Sequence, residues 1–130
     1  MSSKTPTILL VETDDETRPV LKHNLQTYGY HVVVALDVED ALERTAGGKL
    51  QPDLILVNVV GVSNEQALRD AVLIRRSAEL DGRTPAVAMA EHYGEEMEGR
   101  DVPAGENTYI TYLEDAEQLE ELLARLVPAA

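Results

Sequence analysis

Short apolar runs recur along the chain, and segments with a helical spacing of apolar residues separate them. The runs are largely uninterrupted, which is typical of strands that are buried on both faces of a parallel sheet. They are Thr7 to Val11, His31 to Ala35, Leu54 to Asn58, Ala86 to Ala90 and Thr108 to Thr111. The pattern therefore predicts five buried strands.

The intervening segments predict helices with recognisable starts. Leu21 and Leu25 lie on one face of a first helix. Asp37 is a predicted N-cap of the second helix, and Ser63 begins an S-x-x-Q capping box that opens the third. One apolar stripe marks the last helix, formed by Ala116, Leu119, Leu122, Leu123 and Leu126.

The segment from Glu91 to Gly105 has the weakest pattern, with three glycines, one proline and few apolar residues. We predict one short helix in it. Five strands that alternate with five helices then predict a doubly wound parallel sheet spanning residues 7–127 as one domain. Residues 1–6 are predicted to be a tail, and residues 128–130 a tail or the start of a linker.

In a doubly wound sheet the functional site lies beyond the carboxyl ends of the central strands. The residues at those ends are Glu12, Thr13, Asn58, Ala90 and Tyr112. Asn58 is the unusual one, because this uncharged amide is the one polar residue in the seven-residue stretch from Leu54 to Val60.

Composition narrows the function classes. The 11 basic and 24 acidic side chains give a formal net charge of −13, which disfavours nucleic-acid and anionic membrane partners. The chain has no cysteine, and His23, His31 and His92 share no metal-ligand spacing. No apolar run approaches the roughly 20 residues of a membrane span, and no signal peptide is evident. We expect a cytoplasmic domain.

Five blocks in register resemble the response-regulator receiver domain of two-component systems. They are ILLVETDDETR, GYHVVVALDVEDALE, PDLILVN, IRRSAELDGRTPAVAMA and YITYLEDAEQLEELL. The resemblance implies a flavodoxin-like (βα)5 fold, a three-layer sandwich with a five-stranded parallel sheet of order 2-1-3-4-5. Receivers accept a phosphoryl group from a histidine kinase on an aspartate after strand three, with Mg²⁺ held by acids.

The resemblance assigns a role to each residue at the strand ends. Glu12 matches the first acid and is the one functional residue retained. The other positions depart from the pattern: Thr13 replaces the second acid, Asn58 the phosphoacceptor, Ala90 the Ser/Thr and Tyr112 the lysine, while Tyr109 matches the switching aromatic. This implies a degenerate receiver, or pseudo-receiver, that is not an enzyme, has no catalytic residue and binds Mg²⁺ weakly or not at all.

The leading hypothesis is a phosphorylation-independent interaction module in two-component signalling. Its predicted surface is the face of helix 4, strand 5 and helix 5, which would bind a signalling protein or a second copy. One alternative is a receiver phosphorylated at a substitute acid, Asp14, Asp15 or Asp53. Another is a small-ligand sensor with a pocket opened by Ala90 and covered by Tyr112.

Overall fold

The computed structural model describes residues 5–90 and 93–129. Glu91, His92, the first four residues of the predicted tail and Ala130 lie outside that range. The strands are β1 (Thr7–Glu12), β2 (His31–Ala35), β3 (Leu54–Asn58), β4 (Ala86–Met89), β5 (Asp101–Pro103) and β6 (Thr108–Thr111). The helices are α1 (Thr17–Thr27), α2 (Val38–Thr45), α3 (Asn64–Ser77) and α4 (Ala116–Leu126), with a 3₁₀ turn at Ala46–Gly48.

The strands form one sheet of order β2-β1-β3-β4-β6-β5. The first five of these are parallel neighbours, and β5 pairs antiparallel with β6. The α/β fold class is confirmed, and the five parallel strands keep the predicted 2-1-3-4-5 arrangement. The sixth strand was not predicted.

Helices cover both faces of the sheet because successive strand residues point to opposite sides. Ile8 and Leu10 of β1 pack with residues of α1 and α4 in one core cluster. Leu9 and Val11 of the same strand pack with residues of α2 and α3 in the other. The result is the three-layer sandwich, with an aliphatic core on each side of the sheet.

Two predicted helix starts are confirmed by their hydrogen bonds. The Asp37 carboxylate accepts the amide hydrogen of Asp40 at 2.7 Å, and the Ser63 hydroxyl accepts that of Gln66 at 3.1 Å. The side chain thus satisfies an amide group that has no partner within the helix. None of the helices in residues 5–90 and 93–129 is long and apolar enough to cross a membrane.

The predicted short helix between Glu91 and Gly105 is wrong over residues 93–105. Successive turns occupy the first part, with amide hydrogens of Met97 and Arg100 bonded to Gly94 and Met97 carbonyls. Gly99 then takes a φ of +83°, which a helix does not allow. β5 follows, in which Val102 pairs with Ile110. Glycine and proline break the helical path, and the segment gains its backbone hydrogen bonds from β6.

This difference also corrects the predicted interaction face. Within the described residues no helix lies between β4 and β6, and β5 covers the outer edge of β6. Of the predicted trio, strand 5 (β6) and helix 5 (α4) are present, and helix 4 is absent from the described residues. The exposed side of α4 carries the acids Glu117, Glu120 and Glu121.

Candidate functional site

The carboxyl ends of β1 and β3 bring Glu12 and Asn58 directly opposite each other in the sheet register. The Asn58 amide nitrogen donates a hydrogen bond to Glu12 Oε1 at 2.6 Å. The Asp14 backbone amide donates to the other oxygen, Oε2, at 3.1 Å. Both carboxyl oxygens of Glu12 are therefore engaged by neutral donors.

Glu12 is fully buried, with 0% of its surface exposed. Burial raises the pKa of its carboxyl above the ordinary value, and the hydrogen bonds from Asp14 and Asn58 only partly offset this. Arg18 lies nearby, but its Nε donates to the Glu12 backbone carbonyl at 2.8 Å and its guanidinium pairs with Asp15 at 2.9 Å. The buried acid thus has neutral partners at both oxygens.

Thr13 fixes the backbone that follows β3. Its hydroxyl oxygen accepts the amide hydrogen of Val60 at 3.0 Å, and its own amide donates to the Asn58 carbonyl at 3.4 Å. A threonine in this position acts on the loop after Asn58 as a neutral hydrogen-bond acceptor. It adds no charge to the pocket.

Ala90 and Tyr112 directly follow β4 and β6, the next two parallel strands. The Ala90 amide donates to the Thr111 carbonyl at 3.0 Å, and the side chain is a methyl group. The Tyr112 side chain is 9% exposed and its ring meets that of Tyr93 edge to face, with centroids 5.4 Å apart. Tyr112 therefore packs as an aromatic residue, where a lysine would present a positive charge.

Comparison with known proteins identifies the fold. No protein-family model matches the chain. It is 29% identical over 121 residues to the uncharacterized transcriptional regulatory protein YkoG of Bacillus subtilis (strain 168), which covers 92% of this chain and 48% of that protein. The chain thus spans about half the length of this curated relative.

Solved structures similar to the chain include several receiver domains. The chemotaxis protein CheY4 of Vibrio cholerae has a TM-score of 0.65 and 19% identity, covering 95% of this chain and 100% of that one. The N-terminal domain of a response regulator/sensory box/GGDEF protein from Carboxydothermus hydrogenoformans has a TM-score of 0.61, 25% identity and coverages of 93% and 90%. The pseudo-receiver domain of the CikA protein has a TM-score of 0.59, 23% identity and coverages of 96% and 99%.

The chain has the fold of a response-regulator receiver domain. These similarities support the prediction that the chain is a receiver domain of two-component signalling. The receiver site predicted from the sequence divides into two parts in the structure. Glu12, Thr13 and Asn58 are joined by hydrogen bonds, while Ala90 and Tyr112 lie at the ends of β4 and β6.

Tyr109 lies in β6, three residues before Tyr112. It packs against the core cluster of α1 and α4. It is also flanked by strands on both sides, since it pairs with Val87 of β4 and with Pro103 of β5. Tyr109 therefore lies on a strand with a neighbour on each side, and the edge strand of the sheet is β5.

Two contributors to the receiver site were missed in the sequence. The Asp14 backbone amide bonds the Glu12 carboxylate, and Tyr93 packs on Tyr112. The Asp14 contact could not be predicted, because every residue except proline has a backbone amide and residue type does not show where it donates. The second had a signal, namely a second aromatic residue three positions after Ala90.

Proposed function

We propose that this receiver domain works in two-component signalling without accepting a phosphoryl group, by binding a protein partner constitutively. The observation that carries the proposal is the hydrogen bond from the Asn58 amide to the buried Glu12 carboxylate. A receiver forms its acyl phosphate on an aspartate carboxylate, whose oxygen attacks phosphorus. Asn58 has a neutral amide, and its nitrogen is committed to Glu12.

The donor set does not fit a magnesium site. Mg²⁺ requires octahedral oxygen ligands, usually with one or two carboxylates. Glu12 is the one acid among the receiver positions, and both of its oxygens accept hydrogen bonds. The Thr13 hydroxyl oxygen already accepts the Val60 amide. We therefore assign the pocket no metal cofactor and no catalytic residue, and the domain no enzyme activity.

Substitute acceptors fit less well. Asp14 accepts hydrogen bonds from the Thr17 hydroxyl and amide, which hold the pKa of its carboxyl below the ordinary value. Asp15 pairs with Arg18. Asp53 accepts the Thr7 amide at 2.7 Å, at the amino end of β3 and thus at the far edge of the sheet from Asn58.

A small-ligand sensor is also less well supported. Tyr112, which was expected to cover a pocket opened by Ala90, packs its ring against that of Tyr93. A groove along α3 is lined by neither Ala90 nor Tyr112. The net charge of −13 favours a protein partner over nucleic acid or anionic lipid, and we propose a cytoplasmic location.

Intact mass after incubation with acetyl phosphate and Mg²⁺ tests the proposal. The native protein is expected to gain no phosphoryl group. The variant Asn58→Asp isolates the phosphoacceptor, and Thr13→Asp/Asn58→Asp/Tyr112→Lys restores the acids and the lysine together. Phosphorylation of the native chain would overturn the proposal, and peptide mapping would then identify the acceptor.

A further inference from the structure

A groove runs along α3, on the flank of the helix that faces the β5–β6 edge of the sheet. It has a volume of about 560 Å³. Its apolar lining comes from Leu68, Val72 and Leu73 of α3, with Ala104 and Thr108 on the opposite wall. Leu73 is 47% exposed and presents its apolar side chain to this groove.

The groove exists because α3 has a helical neighbour on one side only. Ala71 and Ile74 face the sheet and are buried. Between β4 and β6 the chain forms turns and the edge strand β5, so that in residues 93–107 no helix packs beside α3. The apolar side chains on that flank remain uncovered by the described part of the chain.

The charge around the groove contrasts with the charge of the molecule. Two arginines of α3, Arg69 and Arg76, border it and are exposed, whereas the whole chain has a net charge of −13. One nitrogen of Arg69 donates to the Gln66 side chain at 3.0 Å, and Gln66 also holds Asp70 at 2.8 Å. Asp70, the acid in the groove lining, is thus hydrogen-bonded to Gln66, and two arginines border the groove.

We propose that this groove binds an amphipathic helix of a signalling partner, with large apolar side chains facing α3 and one acid before and one after them on the same helical face. Arg69 and Arg76 are seven residues apart, or about 10 Å along the helix axis. Acids at positions i and i+7 of a partner helix have the same separation, with apolar residues at i+3 and i+4 between them. The proposal rests on the proposed function, since it supplies the binding surface of the phosphorylation-independent module.

A second copy of the chain matches this groove less well. The acidic helix α4 offers the required charge. Its apolar residues Leu119, Leu122 and Leu123, however, are buried in the core of its own domain. The exposed positions of α4 are Ala116, Glu117, Glu120, Glu121, Ala124 and Arg125, and they include no large apolar side chain.

Two synthetic helical peptides test the proposal with the full chain. Both carry leucine at i+3 and i+4, one with glutamate and the other with lysine at i and i+7. Titration into the ¹⁵N-labelled domain is expected to shift backbone amides of α3 and Ala104 with the glutamate peptide only. Arg69→Glu/Arg76→Glu should weaken the glutamate peptide about tenfold and admit the lysine peptide.

The matched control is Lys22→Glu, which reverses an exposed cation on α1 and should leave both affinities unchanged. Leu73→Ser supplies a second test of the groove if the double arginine variant does not fold. Shifts outside α3 and its facing wall, or equal affinity for both peptides, would overturn the proposal. So would a concentration-dependent dimer in sedimentation that Arg69→Glu/Arg76→Glu abolishes, since a second copy would then be the occupant.

This experiment is independent of phosphoryl transfer. The mass measurement can contradict the proposed function while the peptide still binds the groove. Conversely, a chain that gains no phosphoryl group can fail to bind either peptide. The two outcomes identify which of the two proposals is wrong.

Discussion

Two buried charged side chains lie at opposite ends of the sheet, and the protein accommodates them differently. Glu12, at the carboxyl end of β1, has neutral donors at both oxygens and a raised pKa. Arg75 is 7% exposed and lies beside the amino ends of β4 and β6. Its guanidinium donates to the Thr84, Asn107 and Glu106 carbonyls and to the Thr108 hydroxyl, at 2.9, 3.3, 3.1 and 3.3 Å.

The two side chains differ because a buried carboxyl can become neutral by binding a proton, whereas a guanidinium cannot become neutral by losing one. A buried carboxyl reduces its desolvation cost by binding a proton, so its pKa rises. A guanidinium stays charged in proteins and must instead collect acceptors. Arg75 therefore ties α3 to two loops as a structural clamp, whereas the charge at Glu12 depends on pH. Removing the first should cost more than altering the second.

The largest expected effect comes from Arg75→Met. The substitution removes a charged donor from three carbonyls and a hydroxyl in a buried site, and we expect the free energy of unfolding to fall by about 3 kcal/mol. Urea denaturation measures it. Arg76→Met, the next residue on the same helix and exposed, should change stability by less than about 0.5 kcal/mol. Equal effects of the two variants would contradict the clamp.

Asn58→Asp is expected to have an intermediate effect. It removes the donor to Glu12 and places two carboxyl groups in contact, which raises the pKa of the pair. Stability should then be retained near pH 4 and lower by about 2 kcal/mol at pH 7.5, because the folded state must release a proton that it holds tightly. The matched control Asn64→Asp, at the start of α3, should show no such loss with rising pH. A stability of Asn58→Asp independent of pH would count against direct contact between positions 12 and 58.

The smallest expected effect comes from Glu12→Gln, which should remove the part of the pH dependence of stability that Glu12 causes. A folded pKa above the unfolded one means that the stabilising contribution of protonated Glu12 is present below the unfolded pKa. That contribution is lost as the pH rises through the folded value. The native protein should therefore lose stability relative to Glu12→Gln between about pH 4 and the folded pKa. A difference that is constant across this range would show that Glu12 keeps its ordinary pKa.

The sequence was sufficient where the deciding interactions are local or follow from a regular register. The Asp37 and Ser63 caps depend on an amide three residues away. The Glu12–Asn58 contact joins residues 46 positions apart, but the alignment of two parallel strands made their proximity predictable. The five parallel strands followed from their continuous apolar runs.

The remaining features depend on contacts between distant residues of unremarkable type. β5 exists because Val102 pairs with Ile110, and its three residues carry little strand signal of their own. The acceptors of Arg75 lie 9 to 33 positions away and are mostly backbone carbonyls. The groove on α3 follows in turn from the absence of a helix between β4 and β6 among the described residues. A periodicity argument contains none of this information.

Titration of the ¹⁵N-labelled native domain with Mg²⁺ and beryllofluoride, a mimic of the phosphoryl group, tests the central claim most directly. The account predicts no saturable shift of the Asn58 side-chain amide, of Thr13 or of Val60, because their hydrogen bonds already occupy the receiver site. Thr13→Asp/Asn58→Asp/Tyr112→Lys serves as the positive control. Saturable shifts at these three residues in the native protein would show that the site still accepts a phosphoryl group and would contradict the account.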